Sequence, residues 1–206
     1  MQHQRFSALF SDIGGVLGTN GWDARVRNNI TVEFGLDSAE IDSRHHLMFD
    51  SYERGYMRFD DYLRYVFFAS PREFTLDELR EYTYSQSVAW PENIGFLKRF
   101  KTANQLKLAL ISNEGQGITE HRVGKFGLRD LADFMVISNF VHFRKPDPEI
   151  WHLALNLAQV KAAESIYIDD RELFANVAAE LGFTAIHHVS LASTRERLQN
   201  LGLETA

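Results

Sequence analysis

Residues 8–22 read ALFSDIGGVLGTNGW. The apolar run stops on a lone carboxylate, Asp12, and Ile-Gly-Gly follows at once. An ordinary passage from strand to turn needs neither an acid at that point nor two glycines behind it. Asp12 is therefore either a turn-forming side chain, the common use of aspartate after a strand, or a reagent held at the end of one.

The rest of the chain shows what partners it has. With Phe6–Ser11 as the first, five short runs are apolar almost throughout, the others being Leu106–Ser112, Phe134–Ser138, Ser165–Asp169 and Thr184–His188. Such runs predict strands buried on both faces. Helical patterning precedes the second run over Pro91–Thr102 and separates the later ones over Gln116–Phe126, Pro148–Leu157 and Glu172–Leu181. Strand alternating with helix predicts an α/β fold with a doubly wound, parallel, Rossmann-like sheet. One gap breaks the rhythm. Between the first two runs lie four helical segments and no buried strand: Ala24–Phe34, Ser38–Asp50, Phe59–Phe68 and Leu76–Ser87, dense in aromatic residues. We expect a Rossmann-like core of residues 1–17 and 91–206, and an inserted helical bundle of residues 18–90. Most of its rings should form its own core, with a few facing the sheet.

In an open parallel sheet, chemistry gathers at the carboxyl ends of the strands. There the sequence places Asp12 with Gly14 and Gly15, then Ser112-Asn113-Glu114-Gly115, then Lys145 in FRKPDP, then Asp169-Asp170. Taken singly, each has a structural use. Ser-Asn suits a helix start; KPDP offers Asp147 as a cap and Pro148 as a first helical residue; Asp-Asp suits a solvated loop. Their order and shared strand-end placement point to one site instead. Asp12 and an acid of the Asp169/Asp170 pair repel each other unless a hard dication lies between them, and oxygen ligands with retained waters suit magnesium. Lys145 adds a second positive charge, so that a phosphoryl group can be held against Asp12. The Ser112 hydroxyl and nearby backbone N–H groups can donate to its oxygens. An ionised Asp12 can then attack phosphorus and form an acyl-phosphate. The glycines let the backbone approach an anion and turn sharply.

Composition bounds the rest. The chain has 206 residues, 45% apolar and 24% charged, which predicts one large domain or one domain with an insertion. A formal charge of −6 argues against a nucleic-acid surface or a polybasic membrane contact. The absence of cysteine excludes disulfides and thiolate metal sites. No segment has the length of a membrane span, and MQHQRFSALF lacks the apolar core of a secretory signal. We expect a cytoplasmic protein with neither nucleic acid nor membrane as partner; the sequence leaves the oligomeric state open.

These residues resemble the haloacid dehalogenase-like hydrolase superfamily over nearly the whole chain. FSDIGGVL is similar to its first motif, with Asp12 at the nucleophile position; LALISNEG to the second, with Ser112 as the phosphate-contacting hydroxyl; Lys145 of RKPDP to the third; and IYIDDRE to the fourth, with Asp170 at the metal-ligand position. The helical insertion is similar to the family's cap, which closes over the crevice and selects the substrate. DIGGVL and SNEG resemble a sugar-phosphate-phosphatase-like branch. The resemblance implies Asp12, Ser112 and Lys145 as catalytic residues, and Mg2+ held by Asp12, Asp170 and the Gly14 carbonyl. It also implies a small phosphorylated metabolite contacted by Ser112, Asn113, Lys145, Gly15 and Trp22.

Two positions depart from the pattern. Most phosphatases of the family carry a second Asp two residues after the nucleophile, as acid and base; here it is Gly14. Loss of such a group costs about 10²–10⁴ in rate, unless water, the substrate or the cap supplies the proton. Four residues after Asp170 the family usually has Asp or Asn, and here stands Phe174. Losing that support typically weakens metal binding about 10–100-fold, so weak magnesium affinity is expected. His45, His46, His121, His187 and His188 could replace the missing acid, although each reads first as a surface or satisfied core histidine. Gly21 could serve as a hinge, Trp22 is either a wall of the cleft or a packed ring, and Arg144 either a phosphate contact or a solvated charge. The alternative to a phosphatase is a non-catalytic phosphate-binding or regulatory protein with the same fold. A 2-haloacid dehalogenase also uses an aspartate nucleophile but needs no metal, and the pair Asp169-Asp170 disfavours it.

Overall fold

The computed structural model describes residues 6–205; residues 1–5, the start of the expected core segment, lie outside the described residues. Five strands form one parallel sheet: β1 (Ala8–Ser11), β2 (Lys107–Ser112), β3 (Phe134–Ile137), β4 (Ser165–Asp169) and β5 (Thr184–His187), in the order β3-β2-β1-β4-β5. The chain builds outward from β1 on one side through β2 and β3, and on the other through β4 and β5. The reversal falls between β1 and β4, the place where open α/β sheets leave a crevice. Asp12 follows β1 there, its N–H donating to the Ile168 carbonyl at 2.8 Å.

The near-continuous apolar strands are explained by burial of both faces. Leu9, Leu108, Leu110, Ile166 and Ile168 point into one core layer, and Ala8, Phe10, Ala109, Ile111 and Tyr167 into the other, as a two-residue period requires. The first layer is closed by α5 (Pro91–Ala103), α7 (Leu128–Leu131) and α11 (Leu191–Asn200), and the second by α9 (Glu149–Ala158) and α10 (Glu172–Glu180). α6 (Gln116–Lys125) and the short α8 (Ser138–Val141) complete the core. α7 and α8 are too short to show a helical period in the sequence.

Between β1 and α5 stand α1 (Ala24–Glu33), α2 (Ser38–Glu53), α3 (Phe59–Phe67) and α4 (Leu76–Ser85). In α3, Phe59, Tyr62, Leu63, Val66 and Phe67 recur at helical spacing and are buried. They join Val26, Ile30, Ile41, Tyr52 and Leu79 in a third apolar cluster that also takes in Ile118 of α6. Burying each such side chain contributes about 1.5–3 kcal/mol. The segments that enter and leave this insertion pair with each other: Thr19 N–H donates to Val88 O at 2.9 Å, and Trp90 N–H to Leu17 O at 2.8 Å. Two boundaries differ usefully from expectation. α2 runs three residues past Asp50, which brings Glu53 onto the helix. α9 begins at Glu149, and Asp147 is no cap; its carboxylate accepts from Arg54 at 2.8 Å instead. Among the described residues no helix is long and apolar enough to cross a membrane.

Candidate active site

An open cleft of about 640 Å³ lies over the carboxyl ends of β1, β2 and β4, between the sheet and the insertion. Asp12 is buried at its floor. One carboxylate oxygen accepts from the Ile13 N–H at 2.7 Å and the other lies 3.0 Å from Lys145 Nζ. The nearby Ser112 hydroxyl favours the charged form of this carboxylate. Burial pushes the Asp12 carboxyl well above its usual range; Lys145 opposes this, and Asp169 and Asp170 add to it. A group intended to be ionised here needs more positive charge than Lys145 alone provides.

Lys145 sits on the loop before α9 and is 1% exposed. Its ammonium is 2.7 Å from Asp169 Oδ2, which also accepts from the Tyr167 hydroxyl, while Asp169 Oδ1 accepts from the Arg171 N–H at 2.9 Å. Burial alone would depress the Lys145 pKa, but Asp12 and Asp169 more than offset it and raise it. The Phe174 ring centroid lies 5.1 Å from the same ammonium, within cation–π range. Position 174 thus supports the lysine where a polar residue would support a metal shell.

The two acids that end β4 divide their work. Asp169 is saturated by Lys145, Tyr167 and Arg171. Asp170 accepts one hydrogen bond, from Asn20 Nδ2 at 3.3 Å, and its buried Oδ1 has no partner. Asp12, Asp169 and Asp170 each present a carboxylate oxygen within 4.8 Å of the others. Gly15, at φ +67°, makes room for this arrangement, because a Cβ there would lie 2.1 Å from Asp170 Oδ2. A free carboxylate oxygen beside a second carboxylate, all donors being hard oxygen, fits a magnesium ion. Asp12 and Asp170 are the residues able to hold it, with Gly14 lining the cleft beside them.

Other candidates take different places. Asn113 engages the Lys145 backbone with both amide atoms, accepting from its N–H and donating to its carbonyl at 2.8 Å each, so it holds the lysine in place. Gly15 does not line the cleft; its N–H donates to Gly18 O at 2.8 Å. Trp22 does line it, and is also packed: its indole N–H donates to Tyr62 Oη at 2.8 Å, edge-on to three aromatic rings. Glu114 lines the cleft but is locked at 2.7 Å to the fully buried Arg122, which donates to Thr19 O. None of the histidines among the described residues lines the cleft. Sequence reasoning did not find Tyr52 and Glu53 of α2, Arg171, or the role of Asn20. The space a side chain at position 14 would enter is held by Asn20, whose Oδ1 would be 2.5 Å from a Cβ there. Helix phase offered no signal for these, since their place depends on how the insertion docks.

Comparison with known proteins agrees with this geometry. A family model described as haloacid dehalogenase-like hydrolase matches residues 26–187. Over 65 residues the chain is 43% identical to haloacid dehalogenase-like hydrolase domain-containing protein 3 of Bos taurus, and over 68 residues 37% identical to that of Homo sapiens. These matches cover 32% and 33% of this chain but only 26% and 27% of the relatives. The chain thus spans about a quarter of the length of the curated relatives it matches. Among solved structures, the HAD family enzyme bt-2542 of Bacteroides thetaiotaomicron, in complex with magnesium and inorganic phosphate, superposes with a TM-score of 0.75 at 21% identity, covering 92% of this chain and 98% of that one. The L-2-haloacid dehalogenase RSc1362 gives 0.63 at 21% identity, covering 87% and 85%. At such identities the superpositions establish the α/β fold.

Proposed function

The chain belongs to the haloacid dehalogenase-like hydrolase family, and from that premise we propose that it is a magnesium-dependent phosphatase of a small phosphorylated metabolite. The observation that carries this is the unpartnered Asp170 Oδ1 beside Asp12 in a three-carboxylate cluster. A haloacid dehalogenase has no use for a cation site at its nucleophile, whereas a phosphatase must bring a dianion to a carboxylate. The magnesium and phosphate complex of bt-2542, on the same fold, supports this choice.

Magnesium, when bound, offsets the charge of the phosphoryl group and of Asp12. The Asp12 carboxylate attacks phosphorus, the bond from phosphorus to the ester oxygen breaks, and an aspartyl-phosphate is left on the chain. The Lys145 ammonium, fixed by Asp169, Asn113 and Phe174, holds the phosphoryl oxygens, and the Ser112 hydroxyl donates to one of them. Water then attacks phosphorus, releasing inorganic phosphate and restoring Asp12. The insertion is the cap of this site, and residues 1–17 and 91–206 its catalytic core.

Gly14 favours a second reading, a phosphate-binding protein without turnover. Hydrolysis of p-nitrophenyl phosphate by wild type and Asp12→Asn, with and without magnesium, separates the two. Magnesium-dependent turnover lost in Asp12→Asn supports the phosphatase; phosphate binding without turnover supports the alternative; chloride release from a 2-halo acid without magnesium replaces both with a dehalogenase.

A further inference from the structure

We propose that Glu53, presented by the insertion, is the acid that protonates the leaving group, in place of the side chain missing at position 14. This rests on the phosphatase reading above. Gly14 carries no proton, and Asn20 occupies the space a side chain there would need. The acid has to come from elsewhere in the cleft, and the carboxyls can be taken in turn.

Asp12 is the nucleophile and Asp170 the metal-side acid. Asp169 is saturated by three donors. Asp23 starts α1, where its carboxylate accepts from the Val26 N–H at 2.9 Å. Glu114 lies 2.7 Å from Arg122 without the alignment of a hydrogen bond, but Arg122 is fully buried and fixed by Thr19 O, so an arriving ester cannot draw it away. Glu53 alone has a counter-ion that is free to leave. Its side chain is 15% exposed, and its Oε2 lies 2.7 Å from Arg144 Nη2 without the alignment of a hydrogen bond. Arg144 is not committed to it: its other nitrogen is 3.3 Å from Asp50, and its guanidinium rests 5.1 Å from the Phe49 ring centroid. An incoming phosphate ester can draw Arg144 away and leave Glu53 facing the substrate.

The electrostatic setting agrees. Burial pushes the Glu53 carboxyl above its ordinary range; Arg144 and Arg171 oppose this and Asp50 adds to it. Tyr62 of α3 is a further titratable group near enough to interact with it. An arriving dianion acts in the same direction as burial and further favours the protonated form of Glu53. Tyr52, which also lines the cleft, holds its hydroxyl proton far too tightly to serve.

The step balances. As Asp12 attacks, the electron pair of the breaking P–O bond goes to the ester oxygen, which takes the Glu53 proton and leaves as an alcohol. The Glu53 carboxylate then removes a proton from the water that attacks the aspartyl-phosphate, which restores both carboxyl groups. Because α2 carries the acid, alkyl esters are cleaved only with the insertion seated. Arg54 provides that seating, donating to Asp147 at 2.8 Å and to His142 O at 3.1 Å.

The test is leaving-group dependence, in the full chain with magnesium. Glu53→Gln keeps the volume and loses the proton. We expect kcat on an alkyl phosphate to fall by about 10²–10⁴. On p-nitrophenyl phosphate, whose phenolate departs unprotonated, kcat/KM should fall far less, because kcat/KM excludes the later water step in which Glu53 acts as base. A plot of log kcat/KM against leaving-group pKa should steepen. Equal loss of kcat/KM on both esters would make Glu53 a docking contact, and unchanged rates on both would remove it from the chemistry; either overturns the inference. Arg144→Gln provides a second measurement, since it leaves Glu53 in place without its counter-charge. The alkaline limb of the alkyl-phosphate profile should move to higher pH, and an unmoved limb overturns the inference. Wild type that cleaves neither ester would sink the phosphatase reading as well, whereas wild type that cleaves both with Glu53→Gln indifferent sinks only this one.

Discussion

The floor of the cleft and the wall facing it are built on opposite terms. On the floor, Asp12, Asn113, Lys145 and Asp169 hold one another through short contacts fixed by three adjacent strand ends. On the wall, the Tyr52 hydroxyl, Glu53 Oε2 and Arg144 Nε are buried with no hydrogen-bond partner. Leaving such groups unmet costs about 1–3 kcal/mol each. The saturated part of the floor is preorganised for one reaction, with Asp170 Oδ1 its open position, while an unsaturated wall has its partners supplied by whatever enters. The difference separates what the site does from what it does it to.

The strongest way to break the contrast is to open the floor. Lys145→Met leaves Asp12 and Asp169 facing each other in a buried site. We expect about 3–5 kcal/mol of lost stability and at least about a 10²-fold loss of phosphatase turnover, read by urea denaturation and steady-state kinetics. Adding Asp169→Asn should recover much of the stability and none of the activity. If Lys145→Met is as stable as wild type, the floor is not the closed network described.

Phe174 tests where floor and metal meet. Its ring supports Lys145 and offers magnesium nothing, so isothermal titration should show wild-type affinity weaker than micromolar. Phe174→Asn should tighten it by about tenfold, the lower end of the usual effect of such partners. Micromolar binding by wild type would contradict this.

A pair of glycines compares the two regions directly. Gly15 (φ +67°) and Gly35 (φ +60°) share a left-handed backbone, but a Cβ at 15 overlaps Asp170, whereas one at 35 meets nothing within 4 Å. Gly35→Ala should therefore cost only the backbone term, about 1–2 kcal/mol. Gly15→Ala should cost more and also weaken magnesium dependence by displacing Asp170. Equal melting shifts with unchanged metal response would mean that the site at Asp170 is not tight.

The same division decides what could be read from sequence. Strands buried on both faces show as unbroken apolar runs, so β1, β2 and β4 and the groups following them, Asp12, Ser112 and Asp169-Asp170, were legible with the fold. Roles that depend on side-chain direction were not. Asp169 and Asp170 are adjacent and chemically identical, yet one saturates Lys145 and the other keeps a free oxygen. Asn113 read as a substrate contact; it lines the cleft, and its hold on the Lys145 backbone was not legible. Asp147 read as a helix cap, but Arg54, 93 residues away in sequence, takes it. Phe174 read as a loss because sequence shows the missing polar atom and not the ammonium over the ring. Glu53 lay outside the expected helix, and no local pattern says which turn of an inserted bundle faces a cleft.

The last effect belongs to the wall and appears as pH dependence. The Trp22 N–H donates to Tyr62 Oη, and the Tyr62 hydroxyl lies 2.7 Å from His45 Nδ1. The Trp22 nitrogen can only donate, so the Tyr62 proton is directed to a neutral His45. Burial, Arg27 and His46 lower the His45 pKa to about 4, against Asp42. Between about pH 6.5 and 4 the unfolded chain binds this proton and the folded chain does not. Stability from this group is therefore complete above about 6.5 and falls with decreasing pH, by at most about 1.4 kcal/mol per unit. Below about 4 both states are protonated and the slope vanishes. Other carboxyls titrate nearby, so the measurement is the difference between wild type and His45→Gln in urea midpoints from pH 7 to 4. That difference should shrink as the pH falls, and a constant difference would mean that the chain running from Trp22 to His45 does not depend on a neutral imidazole.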